Sequence, residues 1–165
     1  MQSIELVRHN LVTSRDLVLL RVEEMRDHAL VAPTPNGGAH TLWVLGHLAY
    51  IEAEIIHRFL AGVENTLADW QPVFDGAEVS FDPAIYPPFD DVLERCRAER
   101  EATLARMATM SEDDLDRASG FIPKGFDDTF GTWRLCLQFT ANHWYMHRGQ
   151  LADARRAAGL VRMWL

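Results

Sequence analysis

The sequence is short of several things, and each shortage removes a class of function. No stretch of about 18 apolar residues occurs in it, and its first ten residues, MQSIELVRHN, place no apolar run behind a basic segment. Neither a membrane span nor a signal peptide is expected, and the chain reads as cytoplasmic. Cysteine is limited to Cys96 and Cys136, in two different helical patterns, so there is neither a disulfide framework nor a CxxC motif, and both read as packed thiols. Lysine occurs once, at Lys124, and no basic block interrupts a net charge of −8. Duplex nucleic acid would be repelled by such a surface.

What remains is ordinary globular material. With 165 residues, 48% hydrophobic and 24% charged, the chain has enough apolar surface for one core and is read as a single domain over 1–165. Ile4, Leu11, Val18 and Met25 recur every seven residues with Val7, Val22 and Ala29 beside them, which predicts one long amphipathic helix ending before the turn cluster at 32–38. Thr41 is the expected N-cap of a second helix reaching Gly62, apolar almost all round in its first half. From Val63 to Pro88 the chain is too broken by Asp, Gly and Pro for a helix and reads as a crossover. Asp90 is the expected cap of a charged third helix to about Met110, with Val92, Cys96, Leu104 and Met107 as its apolar face. A capped turn at Ser111 and a loop from Ser119 to Gly131 lead to a fourth helix, from near Thr132 to Gly159. The expected fold is all-α: a four-helix bundle, up-down-down-up, with long crossover loops.

Seven histidines are present, and three of them stand apart. On a helical wheel Cys136, Phe139, His143, Met146, His147, Gln150 and Ala154 fall in one stripe about 100° wide, which puts both histidines of the fourth helix on its inward side. Residues four apart stand about 5–6 Å from each other at Cβ, close enough for two imidazoles to reach one cation. His47, on the buried half of the second helix beside Gly46, is the candidate third ligand, with the glycine expected to admit a close helix. It lies 14 residues before Ala61, and the midpoint of His143 and His147 lies 13 residues after Thr132, so antiparallel helices would bring all three to one level within about 1.5 Å. Parallel helices would separate them by about 10 Å. Two core histidines bonded to neighbouring carboxylates or carbonyls are the simpler alternative.

The segments TLWVLGHLAYIEAEIIHRFLAG and NHWYMHRGQLADARRAAG, with their GHLA and HxxxHRGQ, resemble those of the DinB/YfiT-like superfamily of bacterial four-helix metalloproteins. The resemblance covers essentially the whole chain. It implies a metal triad on His47, His143 and His147, an up-down-down-up bundle and a homodimer. Characterised relatives include mycothiol-dependent maleylpyruvate isomerase and bacillithiol S-transferases.

Three neutral imidazoles suit Zn²⁺ or Ni²⁺ and leave a coordination position open. The expected activity is that of a divalent-metal-dependent transferase or hydrolase acting on a small molecule, with water or a low-molecular-weight thiol such as mycothiol or bacillithiol as nucleophile. The alternative is a non-enzymatic metal-binding protein of stress response or ligand binding. Tyr50 and Gln150, one turn from His47 and His147, are expected to orient the ligands or meet substrate. Arg148 is a candidate for a substrate carboxylate, though more simply a surface residue, and Trp43, Trp133 and Trp144 are expected in the core. Cys136, about 10 Å along the axis from His143, is too far to share a metal. Glu54 and His57 form an ExxH of the di-iron type, but no second copy follows and His57 lies about 280° round the wheel from His47.

Overall fold

Two facing sets of 3.6-residue stripes build the molecule. A computed structural model describes residues 2–76 and 78–161, and among these residues it is all-α, with no strand and only two isolated bridges. Helix α1 (Ser3–Leu19) buries Val7, Leu11, Ser14 and Val18, spaced by three and four. The single long helix expected here is broken: Arg21 takes a left-handed φ of 56°, and a 3₁₀ turn, Val22–His28, follows. Arg155 accounts for the break, since its Nη1 donates to the Arg21 carbonyl at 3.1 Å and its other arm pairs with Glu24. The apolar rhythm survives because Val22, Met25 and Ala29 still reach the core.

Helix α2 (Thr41–Ala53) is capped by His40 rather than by Thr41. His40 Nδ1 accepts from the Trp43 N–H at 3.1 Å while its Nε2 donates to the Ser80 carbonyl at 2.9 Å. Beyond Ala53 the winding widens into a π-helical turn, Glu54–Leu60, that ends at Gly62 with a φ of 70°. Gly62 lies against Gly120, where a Cβ would stand 2.5 Å from the Gly62 nitrogen, so this meeting of the second helix and the later loop tolerates no side chain. The crossover is less irregular than expected. It carries 3₁₀ turns at Ala68–Trp70 and Pro83–Ile85 and a short helix, α3 (Gln71–Phe74).

Helix α4 (Phe89–Met107) starts after Pro88, not at Asp90, which lies in its first turn and pairs with Arg26. A short α5 (Asp127–Phe130) precedes α6 (Trp133–Ala157), where Thr132 Oγ1 accepts from the Leu135 N–H as a cap. Helix α1 packs chiefly on α6 and α2 on α4. Contacts from Ile4–Glu112 through Arg15–Glu101 to Arg26–Asp90 run in opposite sequence order, as antiparallel neighbours do.

The charged face of α4 hides one buried cation. Arg100 has no exposure; its Nε donates to Glu52 at 2.8 Å and its Nη1 to the Leu11 carbonyl at 2.7 Å and Ser14 at 2.9 Å. Its guanidinium lies 3.9 Å above the Trp144 ring. One side chain thus joins α1, α2, α4 and α6. Losing a single partner from such a buried pair typically costs about 3–5 kcal/mol.

Candidate metal centre

Helix α6 is rotated relative to the expected stripe. Its buried face centres on Thr140, Trp144 and Leu151, while Met146 is 63% exposed. His143 and His147 therefore stand at the edge of the core, where packed interior gives way to open space, rather than in its middle. From α2, His47 meets them there. His47 Nε2 is 3.2 Å from His143 Nε2, and His147 Nε2 is 3.0 Å from the same atom. One nitrogen from each ring lies within 4.8 Å of the others.

The outward nitrogens decide what the inward ones can do. His47 Nδ1 lies 2.6 Å from the Phe74 carbonyl, and His147 Nδ1 lies 2.6 Å from Gln150 Oε1. An acceptor oxygen requires the hydrogen on the imidazole, so both rings carry it on Nδ1 and aim an Nε2 lone pair inward. Three inward nitrogens then share at most the one hydrogen of His143. Burial is the main reason that all three pKa values are lowered. His143 falls to about 2, with the other two imidazoles adding to the effect, and His147 to about 4, with His47 adding and Gln150 opposing. His47 is lowered as well, against the pull of the Phe74 carbonyl and Asp75.

Neutral imidazoles with converging lone pairs fit a cation. Tetrahedral Zn–N bonds of about 2.0–2.1 Å would set nitrogen neighbours roughly 3.3 Å apart. The two short separations here are 3.2 and 3.0 Å. Aromatic rings hold the imidazole planes: Trp43 stacks on His47 at 4.5 Å and 12°, and Phe139 on His143 at 5.7 Å and 18°.

Of the other residues singled out by sequence, Gln150 sits at His147, whereas Tyr50 makes no hydrogen bond to His47. The Tyr50 hydroxyl donates to Asp75 Oδ2 at 3.3 Å, and the orienting of His47 falls to the Phe74 carbonyl. Gly46 admits an aromatic ring, not a helix. A Cβ there would stand 2.1 Å from Phe74 Cε1. Arg148 lines neither cavity at the site. Trp144 is fully buried, Trp43 belongs as much to the site as to the core, and Trp133 lies half-buried beneath Arg117. Cys136 is buried packing, and His57 faces Glu99, outside the cluster. The missed participants are Phe74, Asp75 and Phe139. A backbone carbonyl leaves no side-chain signature, and only Phe139 stood on the stripe already drawn.

The open side of the histidines is a cavity of about 280 Å³. His47 and His143 form one end of it, Ile51, Ile55, Phe59 and Phe130 its apolar walls, and Tyr50, Glu54, Arg58, Gln71 and Asp75 its polar rim. A second cavity of about 490 Å³ shares Tyr50, Glu54, Arg58 and Gln71 with the first and extends to Phe121. Both long loops thus reach the site.

No helix among the described residues is long and apolar enough to cross a membrane. No curated protein matches the sequence. The family model for the DinB superfamily matches residues 10–151, a span that includes α2, the π turn, α4 and all three histidines. The chain belongs to the DinB superfamily.

Proposed function

We propose that the protein is a divalent-metal-dependent enzyme acting on a small molecule, with His47, His143 and His147 as the metal ligands. The observation that carries this reading is the convergence of three neutral imidazole nitrogens, two of them with their outer nitrogens tied to acceptors, where His47 and His143 line an open cavity. A site meant only to stiffen the bundle has no use for a cavity at its ligands, which is what favours catalysis over the non-enzymatic alternative.

Zinc or nickel suits the donor set, and either supplies acidity to a water or a low-molecular-weight thiol in its remaining position, making a nucleophile near neutral pH. The chain's own residues do the rest. Phe74 and Gln150 hold two rings in the tautomer that presents Nε2. Trp43 and Phe139 fix the ring planes, and the apolar walls exclude water from the reacting end. The Tyr50 pKa is raised by burial and by Asp75, so its hydroxyl keeps its proton and remains a donor at the rim. Transfer to or from a thiol, such as mycothiol or bacillithiol, and hydrolysis are the reactions this arrangement suits, in a cytoplasmic homodimer.

Metal content of protein purified without a histidine tag tests the reading. About one zinc or nickel per chain, lost in both His47→Ala and His143→Ala, is the expected result. Metal-free protein that also takes up neither added ion would overturn it.

A further inference from the structure

The rim residues differ in whether their charge is already used. Arg58 donates to Glu54 Oε1 at 2.7 Å, and its guanidinium lies 4.5 Å from the Phe121 ring centre. The other Glu54 oxygen accepts from Asn65 Nδ2 at 2.9 Å. Arg58 and Glu54 thus neutralise each other and form the wall between the cavities. Asp75 is different: it is exposed, and among the described residues its Oδ2 meets only neutral donors, the Tyr50 hydroxyl and Gln71 Nε2, each at 3.3 Å. An ionised carboxylate has room for about four hydrogen bonds, so acceptor capacity remains. Glu64, on the outer cavity, adds a second carboxylate.

Size and polarity set the remaining terms. An apolar cavity of about 150 Å³ holds benzene. The inner cavity, at about 280 Å³, takes one aromatic ring with a short substituent against Ile51, Ile55 and Phe130. An anionic head group would meet Asp75 and Glu64, with Arg58, the one arginine among the described residues lining either cavity, already paired. A cationic head would complete Asp75.

We propose that these cavities bind a small organic amine, its apolar body of about one ring beside His47 and His143 and its ammonium group on the Asp75 carboxylate. This names a substrate class for the proposed metal enzyme and rests on reading the histidine cluster as the reacting end of the pocket.

The test uses the full chain as purified, its metal content measured on the same sample, titrated with 2-phenylethylamine, 2-phenylethanol and 3-phenylpropanoate by calorimetry and ligand-observed NMR. The amine is expected to bind about tenfold more tightly than the alcohol, on the scale of one charge-assisted hydrogen bond. The carboxylate is expected to bind weakest. Asp75→Asn should remove the preference for amine over alcohol, and Ile51→Phe, which fills the inner cavity, should abolish binding of both. Saturable binding that favours the carboxylate, amine affinity unchanged in Asp75→Asn, or no amine binding overturns the proposal. Zinc uptake without amine binding overturns this inference and leaves the metal reading standing; amine binding without zinc uptake does the reverse.

Discussion

Adding one methyl group at Gly46 should damage the metal site without touching a ligand. In Gly46→Ala the new Cβ would stand 2.1 Å from Phe74 Cε1 and 2.4 Å from Cδ1 and Cζ. Ordinary carbon contacts lie at about 3.5–4.0 Å, so more than an ångström of overlap must be relieved. The ring has nowhere to turn, because Phe74 is 1% exposed and packed between Trp70 at 4.9 Å and Tyr86 at 5.8 Å. Helix α3 must therefore move outward, carrying the Phe74 carbonyl away from His47 Nδ1, now 2.6 Å distant. A shift of about 1 Å takes that bond beyond hydrogen-bonding range. Overpacking costs about 1–3 kcal/mol, and this overlap belongs at the upper end. Replacing glycine inside a helix returns about 1 kcal/mol, leaving a net loss of about 2 kcal/mol in urea unfolding. Loss of the group orienting a ligand should weaken zinc binding about 10–100-fold in competition with a chelating dye. Gly46→Ala combined with Phe74→Leu should recover most of the zinc affinity, since leucine gives up Cε1 and Cζ, can rotate its Cδ atoms away from the new methyl and keeps the carbonyl. Unchanged stability and zinc affinity in Gly46→Ala would refute the reasoning.

Gln150→Ala should lower zinc affinity about 10–100-fold while leaving the unfolding midpoint of the metal-free chain nearly unchanged, because Gln150 is exposed; a large stability loss would assign it to packing instead. Glu52→Ala should destabilise the fold by about 3–5 kcal/mol, measured by urea unfolding, since it strands the fully buried Arg100; a loss below about 1 kcal/mol would mean that the network reforms. The metal-free chain should lose stability on acidification. His147 takes up a proton below about 6.5 when unfolded but only below about 4 when folded, so unfolding binds protons in that window and stability falls with falling pH. Its share of the slope is up to about 1.4 kcal/mol per pH unit, and His147→Gln should flatten the profile by that amount between pH 6.5 and 4; parallel profiles would exclude the histidine.

Local chemistry made much of this legible in the sequence. The start of the last helix near Thr132, the Gly62 stop and the core-seeking stripes act through neighbours along the chain, and the spacing of His143 and His147 fixes their distance once a helix forms. The depth match with His47 needed only the rise per residue. What stayed hidden depends on distant partners. Nothing near Arg21 announces a break that Arg155 stabilises from the far end of the chain. The short helix that carries Phe74 lies in a segment whose composition reads as loop. A buried arginine looks, in a list of residues, like any other charge on α4. The rotation of α6, which turns Met146 outward and leaves the histidines at the core's edge, goes with the burial of Trp144 beneath Arg100, a contact between distant parts of the chain.

The π-helical turn has a consequence for how this cavity can change over generations. Four α-helical residues overshoot a full turn by about 40°, whereas a π turn, closing its bonds at i→i+5, needs more residues per revolution, so that four fall short. Tyr50, Glu54 and Arg58 straddle the change of winding at Ala53, and the two deviations offset, so all three stand in one row along the cavity. Deleting a single codon between Glu54 and Arg58 would restore ordinary winding and leave Arg58 three residues on from Glu54, still its neighbour on the same side of the helix, while His47, upstream, kept its place. In this architecture the turn can lose one residue and keep both the ligand set and the row of side chains facing a substrate.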